Sequence, residues 1–290
     1  MKIFSVKSEG GTISCYAERK GIVRRINGSV LGALQAHASG RDVGGRVIKL
    51  ELGKLLEYPC MSRRGRLTIP IAPPEVWGSG ITYVLSKKRY SEDDVPKLGN
   101  ETIYERVYSS PRPELFFKAT ASRCVGHGEP IMVRSDSAWT LPEAELGVVL
   151  DGDSSILGYT IADDVSARDL ESENPLYLPQ SKIYRGCCAI GPWIVTPDEI
   201  GDVRSLNVEL IIERSGQVAF RGSSTTSKMK RSIAEQVAFL FKDNPVPAGS
   251  ILCTGTGILA RRDFFLQEGD VVRMTIERIG TLTTPVVKLH

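Results

Sequence analysis

Beyond residue 130, the chain is divided into short apolar segments in which side chains alternate as they do along β-strands. Several of these segments are bounded by Gly, Asp-Gly or Pro, which favour turns. After residue 75, helical spacing is limited to residues 83–89 and 226–241. The pattern predicts an α+β fold that is mostly β, with strands at residues 130–134, 144–150, 156–163, 189–196, 206–213, 250–255, 270–277 and 281–288.

A proline-rich stretch, from Ile69 to Pro74, separates this part of the chain from its first residues. Proline fits neither a helix interior nor a central strand, so the stretch interrupts regular structure. We place a domain boundary there, which predicts a small N-terminal α+β domain (residues 1–70) and a large domain (residues 71–290). The small domain is expected to contain strands at 2–6 and 13–16 and weak helices at 30–37 and 50–57.

Composition and charge exclude several classes of partner. The net charge of +3, from 37 Lys and Arg against 34 Asp and Glu, provides no broad basic field for nucleic acid. No stretch approaches the ~20 apolar residues that span a bilayer, and the first residues lack the apolar run of an export signal. We therefore expect no nucleic-acid or membrane partner and a cytoplasmic location.

The six cysteines lack CxxC spacing and the density of a disulfide-stabilised secreted domain. We expect them to be reduced thiols. The adjacent Cys187 and Cys188 could be interpreted as a redox pair. Neighbouring side chains on a strand point to opposite faces, however, which favours a structural interpretation.

Two glutamates, Glu143 and Glu145, stand two residues apart at the start of an apolar segment. On a strand they share one face with Cα atoms ~6.5–7 Å apart, so both can contact one ion. A bare E-x-E is most often a solvated surface, but Leu146 to Leu150 is apolar on both faces, as in a covered strand. A hairpin turning at residues 151–153 would bring Asp163 and Asp164 alongside the pair. Carboxylates without His or Cys favour Mg²⁺ first, then Mn²⁺ or Ca²⁺.

These residues belong to a longer set of motifs. The set comprises EAEL from Glu143, GYTIADDVSARD from Gly158, Lys182, Gly191-Pro192 and TGTG from Thr254. It resembles the fumarylacetoacetate hydrolase family over about residues 75–288. The resemblance implies the β-roll of that family, a homodimer or homotetramer, and a metal ion on Glu143, Glu145 and Asp164. It also implies that Lys182 and Thr256 face the substrate.

One motif of the family's hydrolases is altered in this chain. Members that cleave carbon–carbon bonds typically carry Gly-x-x-Tyr-x-x-His, in which the histidine, paired with a glutamate, activates water. Here the stretch from Gly80 ends in Ser86, which cannot act as a base near pH 7, and basic residues 87–89 replace the acidic partner. The segments at 74–80, 112–118, 125–129 and 173–184 instead resemble family members that dehydrate 2-keto-3-deoxy sugar acids. The expected reaction is metal-dependent dehydration of 2-keto-3-deoxy-D-arabinonate to 2,5-dioxopentanoate.

Dehydration of such a small 2-oxo sugar acid requires a base for the C3 proton and an acid for the C4 hydroxyl. Lys182 is the candidate base, because a partly desolvated lysine beside a cation gives up its proton more readily, and Glu114 is its acid–base partner. Alternatively, Lys182 is a structural cation for the metal carboxylates, and Glu114 caps a helix or binds an arginine. The predicted substrate-binding residues are Thr256, Lys118 and Glu171.

Two other hypotheses stay open. The first is an acylpyruvate hydrolase or 2-oxo acid decarboxylase of the same family, which would require a water-activating base other than Ser86. The second is a catalytically idle sugar-acid-binding protein that keeps the metal but has lost proton transfer. The presence of Lys182 beside a complete set of predicted metal ligands argues against the idle protein.

Overall fold

β-Strands form most of the regular structure, which confirms the predicted mostly β, α+β fold. The computed structural model describes residues 1–59, 65–84, 97–98 and 101–290. The strands are β1 (Lys2–Lys7), β2 (Ile13–Arg19), β3 (Ile22–Arg25), β4 (Arg46–Ile48), β5 (Arg66–Leu67), β6 (Val76–Gly80), β7 (Lys97–Leu98), β8 (Glu101–Thr102), β9 (Glu114–Ala119), β10 (Cys124–Val125), β11 (Ile131–Val133), β12 (Thr140–Leu141), β13 (Ala144–Leu150), β14 (Ile156–Asp164), β15 (Ser166–Ala167), β16 (Cys188–Val195), β17 (Asn207–Arg214), β18 (Gln217–Thr225), β19 (Ile251–Thr256), β20 (Val271–Ile276) and β21 (Gly280–Lys288). The helices are α1 (Val30–Ala38), α2 (Leu52–Leu56), α3 (Ile103–Ser109), α4 (Arg168–Glu173), α5 (Leu178–Lys182), α6 (Pro197–Ile200) and α7 (Ile233–Leu240).

The larger sheet has twelve strands, and part of it curls into a roll. In the order β10-β16-β14-β13-β19-β6-β9, the first and last strands are connected by a short 3₁₀ turn, Ala121–Arg123, so the two ends of this path lie close together. Across the junction, Lys118 Nζ donates to the carbonyl of Val165 at 2.8 Å, and the Cys187 thiol donates to the carbonyl of Lys118 at 3.9 Å. Strands β13, β14 and β16 are almost completely buried, as expected for strands covered on both faces.

The N-terminal part of the chain extends this sheet. The first residues of β1 pair with the end of β16, and its last residues pair with β5. Strands β2, β3 and β4 continue outward from β1. The helices predicted at 30–37 and 50–57 are present as α1 and α2. Strand pairing joins the two parts of the chain through β1 and β16, and the predicted domain boundary near residue 70 stays a prediction.

A second sheet supports the site strands from one side. Its five strands have the order β11-β21-β20-β17-β18. Strands β21, β17 and β20 pack against β16, β13 and β14, respectively. All eight strands predicted beyond residue 130 are present, with ends displaced by no more than one residue. This agreement follows from two patterns: apolar residues alternate along strands with one exposed face, and they form short continuous runs in strands covered on both faces.

The helix prediction at 226–241 is wrong in its first part. Residues 226–228 form a 3₁₀ turn that follows β18, and α7 begins only after Ser232. The Ser232 hydroxyl accepts from Glu235 N at 3.1 Å and so caps the helix there. Most of the helix predicted at 83–89, from Leu85 onward, lies outside the described residues. None of the helices that the structure describes is long and apolar enough to cross a membrane.

Candidate active site

The β13–β14 hairpin brings the three predicted metal-binding carboxylates together. Glu143 directly precedes β13, Glu145 lies on it, and Asp164 ends β14. The backbone N–H of Asp164 donates to the carbonyl of Glu143 at 3.1 Å, which holds the two ends of the hairpin side by side. One carboxylate oxygen from each of the three residues lies within 4.8 Å of the others, and all three side chains are buried. The predicted hairpin is therefore confirmed.

The electrostatics of this cluster suit a cation. Burial, together with the nearby charges of Asp164 and Glu143, raises the pKa of Glu145 well above its ordinary value. The backbone N–H of Gly255 donates to Glu145 Oε2 at 2.6 Å and offsets only part of that effect. A set of converging, buried carboxylate oxygens without nitrogen or sulfur ligands matches the preference of hard divalent ions. The three residues therefore fit a magnesium-type site.

Two lysines neutralise the acidic cluster. Lys182, at the end of α5, donates to Glu143 Oε2 at 3.0 Å and to Asp164 Oδ2 at 2.8 Å. It also donates to the hydroxyl of Ser166 at 2.6 Å. Burial opposes ionisation of Asp164, but the ammonium groups of Lys118 and Lys182 outweigh that effect and hold its pKa below the ordinary value. This pairing is the structural role considered as the alternative for Lys182, and a catalytic role would use the same position.

Lys118 lies behind the cluster and does not line the pocket. Its side chain is 0% exposed, and its Nζ lies 2.6 Å from Asp164 Oδ1. It also donates to the carbonyl of Val165, which fixes the turn after the metal-binding aspartate. This position favours a role in orienting Asp164 over the predicted contact with substrate.

Glu114 lines the same pocket. It is the first residue of β9 and the register partner of Gly80 on β6. A Cβ at Gly80 would lie 2.0 Å from Glu114 Oε2, so the glycine leaves the space that this carboxylate occupies. Burial first, and then the charge of Glu171, raise the pKa of Glu114 to about 7. A substantial fraction of Glu114 is therefore protonated near neutral pH, as a general acid requires.

Glu171, on α4, completes the acidic wall. Arg168 donates to its Oε2 at 2.8 Å, and the phenol of Tyr104 donates to its Oε1 at 3.1 Å. Both carboxylate oxygens are held, and the side chain lines the pocket beside Glu114. The predicted position of Glu171 at the pocket agrees with this geometry, and its contact with substrate stays a prediction.

The TGTG motif forms the remaining wall. Gly255 has a φ of 92°, and a Cβ there would meet the Thr82 hydroxyl at 2.0 Å, so the tight approach requires glycine. The Thr82 hydroxyl donates to the carbonyl of Thr254 at 2.7 Å and closes this end of β19. Thr256 lines the pocket, where its hydroxyl accepts from Ile258 N at 3.2 Å. The side chain predicted to bind substrate is thus beside the carboxylates.

Sequence reasoning did not assign three residues that shape this site: Arg168, Tyr104 and Ser166. Arg168 was visible as part of the GYTIADDVSARD motif, three residues before Glu171 on the same helix, a spacing at which helical side chains meet. Nothing in the local sequence around Tyr104 indicated that it would contact Glu171. Ser86, which carried the argument against hydrolysis, lies outside the described residues together with residues 87–89.

Comparisons with known proteins agree with this geometry. The chain is 54% identical to 2-dehydro-3-deoxy-D-arabinonate dehydratase of Saccharolobus solfataricus, over 99% of this chain and 97% of that protein. It is 46% identical to a probable 2-keto-3-deoxyxylonate dehydratase of Haloferax volcanii, over 76% of this chain and 74% of that protein. The chain is therefore similar over most of its length to proteins named as dehydratases of 2-keto-3-deoxy sugar acids.

Solved structures show the same fold. A 2-keto-3-deoxy-D-arabinonate dehydratase complexed with magnesium and 2,5-dioxopentanoate superposes with a TM-score of 0.94 at 52% identity, covering 100% of both chains. The sequence profile described as fumarylacetoacetate (FAA) hydrolase C-terminal matches residues 93–287. The predicted resemblance is confirmed, and the chain belongs to the fumarylacetoacetate hydrolase family.

Proposed function

We propose that this protein is a Mg²⁺-dependent hydro-lyase that converts 2-keto-3-deoxy-D-arabinonate to 2,5-dioxopentanoate and water. The observation that carries the proposal is a single pocket that combines the carboxylate cluster with Lys182 and Glu114. The similarity to dehydratases extends over almost the whole chain, so it includes every element that builds this pocket. Mn²⁺ or Ca²⁺ would suit the same ligands, although less well than Mg²⁺ if most coordination positions are left to water and substrate.

Glu143, Glu145 and Asp164 would hold the ion. When bound, the divalent ion supplies Lewis-acid polarisation of the substrate's 2-oxo group, which makes a C3 proton more acidic. Lys118 and the backbone N–H of Gly255 orient Asp164 and Glu145, respectively, so that their oxygens converge before substrate arrives.

Lys182 and Glu114 would perform the proton transfers. Loss of a C3 proton and of the C4 hydroxyl as water leaves a carbon–carbon double bond, and tautomerisation then forms the C5 aldehyde of 2,5-dioxopentanoate. Lys182 lies on the carboxylate side of the pocket, so it would exchange the proton at C3 next to the polarised carbonyl. Glu114, protonated in part at neutral pH, would donate to the leaving C4 hydroxyl.

The remaining pocket residues would bind and orient the sugar acid. The Thr256 hydroxyl, which lines the pocket, would contact the substrate carboxylate near the ion. Glu171, fixed by Tyr104 and Arg168, would accept a hydrogen bond from a distal hydroxyl. We propose that Lys118 acts through Asp164 and not by touching the substrate.

The proposal is tested by product analysis. Purified protein with Mg²⁺ is incubated separately with 2-keto-3-deoxy-D-arabinonate and with acylpyruvates, and the products are followed. We expect 2,5-dioxopentanoate from the sugar acid and no pyruvate from the acylpyruvates. Pyruvate release without 2,5-dioxopentanoate would instead support the hydrolase hypothesis. Mg²⁺-dependent binding of the sugar acid without turnover would support the idle binding protein.

Assembly and location complete the proposal. We propose a homodimer or homotetramer with no nucleic-acid or membrane partner, acting in the cytoplasm. The family resemblance supports the assembly, and the balanced charge supports the absence of a nucleic-acid partner. Light scattering of the purified protein would distinguish one, two and four chains.

A further inference from the structure

Three cysteines from three different strands meet inside the roll, next to the carboxylate site. Cys124 lies on β10, Cys188 on β16 and Cys253 on β19. Hydrogen bonding with the thiols of Cys124 and Cys253 lowers the pKa of the Cys188 thiol. None of the proposed catalytic steps uses these side chains. Their sequence spacing gave no sign of the contact, since it arises only when the sheet curls.

Cys124 and Cys188 are the pair whose geometry suits a disulfide. They are directly opposite each other on the parallel strands β10 and β16. Neighbouring strands lie about 4.8 Å apart, which is within the range of about 4.4–6.8 Å that the Cα atoms of a disulfide span. Cys253 faces Gly147 on a more distant strand pair and reaches Cys188 only across the interior of the roll.

The two cysteines of this pair also differ in their exposure to solvent. Cys188 and Cys253 are buried, whereas Cys124 is only half-buried. The Cys124 thiol donates to the carbonyl of Thr120 at 3.3 Å, at the short turn that closes the roll. Cys124 is therefore the more accessible thiol of the pair. Hydrogen bonding to Cys188, together with burial, raises the pKa of the Cys124 thiol, so its reaction with a small neutral oxidant is expected to be slow.

We propose that Cys124 and Cys188 form a reversible disulfide when hydrogen peroxide is present, and that this crosslink lowers the activity of the adjacent site. The Cys124 sulfur attacks the peroxide O–O bond, becomes a sulfenic acid and releases one water. The Cys188 sulfur then attacks the sulfenic sulfur, and the S–O bond breaks as the S–S bond forms. The departing hydroxide takes the Cys188 proton and leaves as a second water. The two thiols supply the two electrons that reduce the peroxide, and a dithiol reverses the reaction.

The crosslink would act on the metal-binding strand. Cys188 is the register partner of Asp164 across β14 and β16. A covalent bond brings two sulfurs closer than hydrogen-bonded thiols lie, so both cysteine side chains must turn and the backbone at Cys188 must adjust beside Asp164. Since a displacement of ~1 Å in a catalytic group costs about 100-fold in rate, a smaller movement of Asp164 is expected to cost about fivefold to tenfold. This effect on rate rests on the proposed function, whereas the crosslink itself does not.

The test measures crosslink and activity separately. Reduced protein is titrated with hydrogen peroxide, digested without reduction and analysed by mass spectrometry. We expect a peptide pair joined through Cys124 and Cys188, with fragmentation separating Cys188 from the adjacent Cys187. Dehydratase activity should fall about fivefold to tenfold and return with dithiothreitol. Cys124→Ser should keep the activity of the untreated protein and lose the sensitivity to peroxide.

Cys15 provides a matched control, since it is another half-buried thiol and lies on β2, away from the site. The Cys15→Ser variant should stay as sensitive to peroxide as the unmodified chain. A crosslink through Cys187 or Cys253, or none, would overturn the assignment. Inhibition that persists in Cys124→Ser, or a complete crosslink without inhibition, would overturn the link to the site. Absence of turnover in the reduced protein would contradict the proposed function. Mass spectrometry would still show whether the crosslink forms.

Discussion

Two ion-paired lysines, one on the surface helix α2 and one beneath the active-site pocket, show how differently these two regions accommodate charge. Lys118 is 0% exposed, with Nζ 2.6 Å from Asp164 Oδ1 beneath the pocket. Lys54, on α2, is 52% exposed and pairs at 3.0 Å with Glu51, which is 73% exposed. Water screens the second pair, which can contribute little to stability. The first pair has no water to replace a lost partner, so each charge depends on the other.

This difference indicates that the buried charges serve the active site and not the stability of the fold. Removing charged groups from water costs more than their attraction usually returns, so a buried ionic network is weak evidence for stability. The network around Asp164 also places repelling carboxylates together, and burial, followed by the charges of Asp164 and Glu143, raises the pKa of Glu145. An arrangement that is unfavourable for folding and yet well ordered by hydrogen bonds indicates a functional site.

The largest expected effect is on folding, from Lys118→Met. The methionine fills similar space but leaves Asp164 without its nearer cation, which should destabilise the protein by about 3–5 kcal/mol. Urea denaturation at pH 7 measures the change. A loss below about 1 kcal/mol would mean that Lys182 alone neutralises Asp164.

The same substitution has a defined pH dependence. Since the two lysines depress the folded-state pKa of Asp164, its stabilising contribution is present above its unfolded pKa and is lost as pH falls through the folded pKa. Lys118→Met removes part of that contribution. The stability difference between the two proteins should therefore shrink as pH is lowered toward 3, and a constant difference would contradict the ionic explanation.

The next effect is on activity, from Glu145→Gln. Loss of one ligand charge should reduce kcat/KM at least about 100-fold, or about 2.7 kcal/mol, because the ion and its polarising effect are weakened. In Mg²⁺-free buffer the variant should be at least as stable as the unmodified protein, since repulsion from Asp164 and Glu143 is relieved. Steady-state kinetics with Mg²⁺ measures the change in kcat/KM, and thermal unfolding with and without Mg²⁺ measures the change in stability. The exposed Glu173→Gln is the matched control and should change neither quantity.

A smaller effect is expected on the pH profile, from Glu171→Gln. The charge of Glu171 raises the pKa of Glu114, so its removal should lower that pKa from about 7. If protonated Glu114 is the acid, kcat falls as pH rises through this pKa. The decline in kcat should therefore occur in the variant at a pH a fraction of a unit lower than in the unmodified protein. If the decline in kcat stays at the same pH or moves to a higher pH in the variant, a group other than Glu114 causes it.

The smallest effect is expected from Lys54→Met, which repeats the first substitution at the exposed pair. The change in unfolding free energy should stay within about 0.5 kcal/mol, and it should diminish further in high salt. Urea denaturation under the conditions used for Lys118→Met measures it. A cost comparable to that of Lys118→Met would remove the distinction between the two regions.

Local patterns of the sequence accounted for much of the fold and for the metal cluster. The alternation of apolar residues located β13 and β14, and the turn between them made the meeting of Glu145 with Asp164 predictable. Both features depend on residues close together in the chain. The start of α7 was predicted too early, because a Ser/Thr-rich segment does not specify which hydroxyl caps the helix.

The sequence by itself determined the positions of eight strands beyond residue 130, the carboxylate pair at the start of β13 and the family to which the chain belongs, but it did not predict β6, β9 or β18. Only the tertiary structure decided that Lys118 supports Asp164 from behind, that Tyr104 and Arg168 hold Glu171, and that Cys124 meets Cys188. These contacts join residues from separate elements, and most arise where the curled sheet brings its two ends together. The period of a strand specifies the face on which a side chain lies, but only the pairing and curvature of strands specify its partner.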